Sequence, residues 1–249
     1  MLAILYVSHG SRVAEGVRQA NHFLKQCMDQ INVPIQQICY LELVRPDIQE
    51  GISRCIKHGA DCVIVQPILL LSAGHDKRDI PDEIEKARAV YPNVRFIYGR
   101  PFGVDDSIID ILVERIHEKH SGSVQNDSIL IVGRGSSDLE TPRAFSRICA
   151  MLAKRGISPV SVCYMAAAKP LLKEGLELAV EQGPGKVYIV PYLLFSGILM
   201  RTIRKSIETS VNRFSFVLCK PLGYHPSLIH LLRKRIRESI DYDRLSAQS

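Results

Sequence analysis

The sequence has no tryptophan, and no basic tract interleaves with aromatic residues. A formal charge of +6 does not restore the case for nucleic acid, so no such partner is expected. No apolar run approaches the ~20 residues that span a bilayer, so no membrane partner is expected either. The opening apolar run lacks a basic lead and is broken by Ser8-His9-Gly10, which excludes a signal peptide. Seven cysteines form no Cys-x-x-Cys pair and mostly lie in apolar runs. Their odd number and scatter exclude a disulfide framework and a structural zinc or iron–sulfur site. Reduced, buried thiols in a cytoplasmic protein are the expectation.

What is present is an alternation of strand and helix patterns. Ile4-Leu5-Tyr6-Val7 is apolar without alternation, as in a parallel strand covered on both faces. Helical spacing follows from Val13 through Asn32, with Ser11 as N-cap. Ile35–Leu43 reads as a second strand, and Pro46-Asp47 opens a helix that runs to about His58. Cys62–Leu71 is a third strand and Ile80–Val90 a helix, with Pro81 in its first turn. Val94–Tyr98 is a fourth strand and Asp106–His117 a helix. Such spacing predicts a parallel α/β sheet.

The pattern then recurs. Ile129-Leu130-Ile131-Val132-Gly133-Arg134-Gly135-Ser136 mirrors Ile4-Leu5-Tyr6-Val7-Ser8-His9-Gly10-Ser11. Val162–Ala166 mirrors Ile38–Glu42, Lys169-Pro170 mirrors Arg45-Pro46, and Ile189–Ser196 mirrors Val65–Ser72. Lys220-Pro221-Leu222-Gly223 mirrors Arg100-Pro101-Phe102-Gly103. The expected fold is therefore two similar parallel-sheet α/β halves, 1–121 and 127–249, joined by a polar linker and facing each other across a cleft.

The repeat also acts as an internal control. His9, Glu42 and His75 of the first half align with Arg134, Ala166 and Leu199 of the second. The scaffold is kept while every ligand-type residue is absent from the copy, which places one functional site in the first half. Each of the three falls at or beyond the carboxyl end of a different strand, where open α/β sheets bind ligands. Two imidazoles and a carboxylate suit a divalent Fe, Co, Ni or Zn ion. The remaining histidines noted, His58, His117, His120, His225 and His230, lack this placement and are expected to face solvent.

These motifs resemble the class II sirohydrochlorin chelatases. Val7-Ser8-His9-Gly10-Ser11-Arg12 is similar to the family's first histidine motif, and Pro67–Pro81, containing Ser72-Ala73-Gly74-His75-Asp76-Lys77-Arg78-Asp79, is similar to its second. The resemblance covers the whole chain and is closest to the long two-half form, the bacillus-type ferrochelatases. Gly133–Asp138 and Pro191–Phe195 take part in it. Ser8 departs from the glycine common in the family, a change that matters only if the position needs a positive φ.

The resemblance implies ATP-independent insertion of Fe2+, with Co2+ or Ni2+ as other metal substrates, into sirohydrochlorin during sirohaem synthesis, without an organic cofactor. His9 and His75 would bind metal and accept protons, with Glu42 as third ligand or relay. Arg12, Lys77, Arg78, Arg134 and Arg201 would hold substrate carboxylates, and Leu199 and Met200 would pack on the ring. The expected state is a monomer or weak homodimer. Alternatives are a cobaltochelatase and a non-catalytic tetrapyrrole or metal carrier. A histidine phosphotransfer enzyme fits poorly, because Ser8 stands where that chemistry wants arginine.

Overall fold

Ala3, Ile4, Leu5, Tyr6 and Val7 are all buried, so both faces of this strand are covered. The computed structural model describes residues 1–72, 75–119, 127–182, 185–194 and 197–246, with the backbone alone at His75, Asp76, Phe214, Arg244 and Ser246. The buried run forms β1 (Leu2–Ser8), which lies between β2 (Ile35–Tyr40) and β3 (Cys62–Ile68). β4 (Arg95–Tyr98) completes a parallel sheet of order β2-β1-β3-β4. The second sheet has the same plan. β5 (Ser128–Gly133), β6 (Val160–Tyr164), β7 (Val187–Pro191) and β8 (Phe216–Leu218) run parallel in the order β6-β5-β7-β8. Ser8 pairs with Tyr40 as Gly133 pairs with Tyr164, so the registers coincide.

The helices are α1 (Ala14–Met28), α2 (Ile48–Lys57), α3 (Ile80–Val90), α4 (Asp106–His117), α5 (Glu140–Lys154), α6 (Leu172–Glu181), α7 (Ile198–Glu208) and α8 (Pro226–Ser246). No described helix is long and apolar enough to cross a membrane. α1 is shorter than its periodicity predicts, and its N-cap is Val13; Ser11 Oγ instead accepts a hydrogen bond from the Val13 N–H at 3.1 Å. β2 stops at Tyr40 because the chain turns at Leu43, which has φ 67°. α2 starts where Pro46-Asp47 predicts. Asp47 Oδ1 accepts from the Glu50 N–H, and Glu50 Oε2 accepts from the Asp47 N–H, both at 2.9 Å. Asp47→Ala removes one arm of this capping box and should cost about 1 kcal/mol. Thermal unfolding should show a loss of roughly 2–4 °C.

The compact units do not follow the two sequence repeats. One comprises Met1–Gly103 with Pro226–Ser249, the other Val104–His225. The last helix of each repeat packs in the unit built on the other repeat's sheet. In the first unit, Leu5, Val7, Val63 and Val65 pack with Ile48 and Ile52 of α2 and Ile80 and Ile84 of α3. α1 and α8 pack together, and α8 also lies on β3 and β4. In the second unit, Leu130, Val132 and Ile189 pack with Leu172 and Leu176 of α6 and Ile203 and Ile207 of α7. α4 lies against α5 and β7.

Each exchanged helix is secured by an arginine. Buried Arg235 of α8 donates to the carbonyls of Pro101 and Phe102 at 3.1 and 2.7 Å and pairs with Glu238 at 2.9 Å. Arg115 of α4 donates to Pro221 O at 3.0 Å and Leu222 O at 3.4 Å and also meets Glu118. Replacing Arg235 by methionine keeps the stem but strands buried carbonyls, each costing about 1–3 kcal/mol when unsatisfied. Urea unfolding should therefore show a clear drop in midpoint with little change in slope.

Candidate metal and proton-transfer site

The site begins where β1 ends. Ser8 is a buried strand residue; among the described residues the non-glycine positions of positive φ are Leu43 and Ala167, so serine is tolerated here. His9 follows directly. Gly10 has φ 93°, and a Cβ placed there would come within 2.0 Å of Glu42 O. Only glycine permits this approach. It lets the backbone stitch two strand ends together, Leu41 N–H donating to Ser8 O at 2.8 Å and Glu42 N–H to His9 O at 3.2 Å. A tight turn then closes with Val44 N–H donating to Glu42 O at 2.9 Å. These contacts place His9 Nδ1 3.2 Å from Glu42 Oε1, with 19% and 45% of the two side chains exposed. A carboxylate beside Nδ1 favours the tautomer protonated there and leaves the Nε2 lone pair for a metal or a proton.

The second repeat keeps the backbone and drops the chemistry. Met165 N–H donates to Gly133 O at 2.9 Å, Ala166 N–H to Arg134 O at 3.1 Å and Ala168 N–H to Ala166 O at 2.8 Å. Gly135 has φ 85° and Ala167 φ 60°, repeating Gly10 and Leu43. The same loop therefore presents Arg134 and Ala166 where the first repeat presents a histidine–carboxylate pair.

His75 opens a π-helical turn, His75–Asp79, in the connection from β3 to α3. Its side chain lies outside the described atoms, so the contact on view is between His9 and Glu42. Among the described residues no set of three His, Cys, Asp or Glu side chains is gathered for a metal. The cysteines of the same unit do not substitute: burial raises the Cys39 thiol well above its usual range and pushes Cys55 up to about 12, so both stay protonated and are poor ligands. Tyr40, which ends β2, also stays protonated because burial raises its phenol; its hydroxyl donates to Asn21 Oδ1 at 2.6 Å.

Arg12, Lys77 and Arg78 are exposed in the first unit, and Arg134 and Arg201 in the second. Leu199 and Met200 are half-buried and pack on the second unit's core. His58, His117 and His230 are exposed as expected, and His120 lies outside the described residues. His225 is not solvent-facing: only 18% of its side chain is exposed, and Nε2 lies 3.1 Å from Glu114 Oε2 of α4. The missed signal was a third-order repeat, Glu114-Arg115-Ile116-His117-Glu118 against Lys234-Arg235-Ile236-Arg237-Glu238, which marks α4 and α8 as equivalent elements.

The CbiX family model matches this chain twice, over residues 3–119 and 128–239. A sirohydrochlorin ferrochelatase of Priestia megaterium is 47% identical over 239 residues, covering 95% of this chain and 90% of that one. A sirohydrochlorin cobaltochelatase of the same species is 34% identical, covering 97% and 81%. The structure of SirB from Bacillus subtilis with Fe3+ superposes with a TM-score of 0.86 at 36% identity, covering 96% and 95%. Two matches to one family unit account for the internal repeat, and the chain belongs to the CbiX family.

Proposed function

We infer that the protein is a sirohydrochlorin ferrochelatase, which inserts Fe2+ into sirohydrochlorin with release of two protons and without ATP. The observation that carries the reading is the His9–Glu42 pair at 3.2 Å on a loop whose copy in the other repeat has lost both residues. The near-full-length matches to ferrochelatases support it.

Metalation has two requirements: the pyrrole protons must leave, and the ion must exchange water for ring nitrogens. A neutral imidazole serves either need near neutral pH. His9, oriented by Glu42, and His75 take these roles between them, binding the incoming ion and accepting displaced protons. Glu42 also stabilises the imidazolium that forms when His9 is protonated. Arg12, Lys77, Arg78, Arg134 and Arg201 bind substrate carboxylates, a task suited to planar, always-charged guanidinium groups above all. The protein works as a monomer or weak homodimer.

The test is anaerobic absorbance of sirohydrochlorin with Fe2+ over many turnovers, with and without protein. Catalysed conversion that is lost in His75→Ala supports the reading; conversion that stops at one equivalent makes the protein a carrier. The cobaltochelatase relative favours one second reading, cobalt insertion. Affinity of nitrogen and oxygen ligands rises from Fe2+ through Co2+ to Ni2+ whatever the biological metal. Rates at limiting free metal, rather than tightness of binding, therefore decide between the two.

A further inference from the structure

The two loops that bring His9 and Glu42 together are rooted in different elements. The His9 loop leads from β1 into α1, and the Glu42 loop springs from Tyr40 at the end of β2 and runs to α2. Tyr40 N–H donates to Pro46 O at 2.9 Å and closes the base of this second loop. Asn21 ties the two roots to each other. It lies about two turns into α1 and is half-buried, and its Oδ1 accepts from the Tyr40 hydroxyl at 2.6 Å, near the short end of the O–H···O range. Asparagine is a poor helix former, so α1 gives up a little stability to place it there.

The second repeat shows that the fold does not require this bond. Tyr164 occupies the matching place, paired in register with Gly133 as Tyr40 is with Ser8. Ser146 stands where Asn21 stands, and its hydroxyl donates to Pro142 O of its own helix at 3.0 Å. Tyr164 rests instead on the ring of Phe145, with centroids 5.4 Å apart and planes at 80°. Phe145 replaces Ala20, the neighbour of Asn21, so the copy secures its tyrosine by apolar packing. Apolar burial is non-directional, whereas a hydrogen bond weakens steeply as its angle opens. The directional tie is found in the repeat that holds a histidine–carboxylate pair at 3.2 Å.

We propose that Asn21 is a positioning residue for metal insertion: through Tyr40 it fixes the root of the Glu42 loop to the helix that follows the His9 loop, and so holds the carboxylate against the imidazole. The tie closes a ring, from His9 along its loop into α1, across Asn21 to Tyr40, and back through Glu42 to His9. Every member of that ring lies within Met1–Gly103. As a role in the reaction this rests on the chelatase reading. As a role in placing ligands it is read without turnover.

Asn21→Ala should melt cooperatively and, at saturating Fe2+, lower kcat for metalation by about tenfold while leaving the KM for sirohydrochlorin unchanged. Tyr40→Phe removes only the hydroxyl and should do the same. The double variant should be no worse than either single one, because both break one bond. Asn21→Asp keeps an acceptor oxygen in place and should stay within about twofold of wild type. Ser146→Ala, at the matching position of α5, should leave kcat unchanged. In the substrate-free protein, Co2+ titration followed by visible absorption should give a Kd raised by about tenfold in Asn21→Ala and Tyr40→Phe, and unchanged in Ser146→Ala. Wild-type kcat and Co2+ Kd in folded Asn21→Ala and Tyr40→Phe overturn the proposal, as do single losses that multiply in the double variant or an Asn21→Asp rate no better than that of Asn21→Ala. A wild type that binds Co2+ without metalating sirohydrochlorin would sink the enzyme reading, and the Co2+ Kd of the variants would still decide the role of Asn21.

Discussion

His9→Ala is expected to slow sirohydrochlorin metalation by about 10²–10⁴-fold, the range typical of losing a positioned proton acceptor. With His9 in its proposed role as a metal ligand, the KM for Fe2+ should rise as well. His9 sits at the end of a strand, and its side chain is not part of either hydrophobic cluster, so the variant should melt close to wild type. Glu42→Gln tests the pair from the other side. An amide oxygen still accepts a hydrogen bond from the Nδ1–H but cannot stabilise an imidazolium as a carboxylate does, and a loss of about 10–100-fold is expected. The decisive quantity is the ratio of the two losses. A Glu42→Gln loss as large as that of His9→Ala would make Glu42 an obligatory ligand. No loss in either variant would remove the first repeat from the chemistry.

Gly135→Ala should be among the most destabilising single-methyl changes in the protein. Its Cβ would lie 1.8 Å from Ala166 O, and its φ of 85° is unfavourable for any side chain. The backbone must part there, weakening the Met165–Gly133 and Ala166–Arg134 hydrogen bonds at 2.9 and 3.1 Å. Strain and lost bonds together are worth about 3 kcal/mol or more, or roughly 6–12 °C in Tm for a chain of this size. Gly10→Ala should cost a similar amount, because its Cβ would lie 2.0 Å from Glu42 O. The pair separates stability from chemistry. Gly10→Ala pushes Glu42 away from His9 and should also lose metalation at temperatures where the variant is folded. Gly135→Ala leaves the His9–Glu42 spacing alone and should lose much less. Equal activity losses in the two would mean that the second loop is as much a part of the reaction as the first.

Much of the architecture was legible because the central strands are buried on both faces and therefore read as unbroken apolar runs. The repeat was legible for the same reason, and it made the absence of His9, Glu42 and His75 from the second copy visible. The end of β2 was not legible. Leu41 and Leu43 continue a strand-like pattern, yet Leu43 adopts a positive φ that no leucine advertises. The exchange of α4 and α8 was hidden more deeply. An amphipathic helix carries the same apolar stripe whichever sheet receives it, so local pattern is blind to the choice. His225 was misplaced as a consequence, since its partner Glu114 sits on an exchanged helix.

The exchanged helices also order the protein's own synthesis. Val104–His225 is one continuous stretch, whereas the unit bearing His9 is split between Met1–Gly103 and Pro226–Ser249. A chain emerging from the ribosome usually completes its amino-terminal domain first. Here the first sheet must wait, because Leu228, Leu231, Leu232 and Ile236, all buried, belong to α8, which follows the whole of the second unit in the chain. Any nascent or truncated chain ending before Pro226 holds His9 and Glu42 on a sheet with an uncovered apolar face. The unit bearing His9 and Glu42 is therefore the last to receive all of its buried residues.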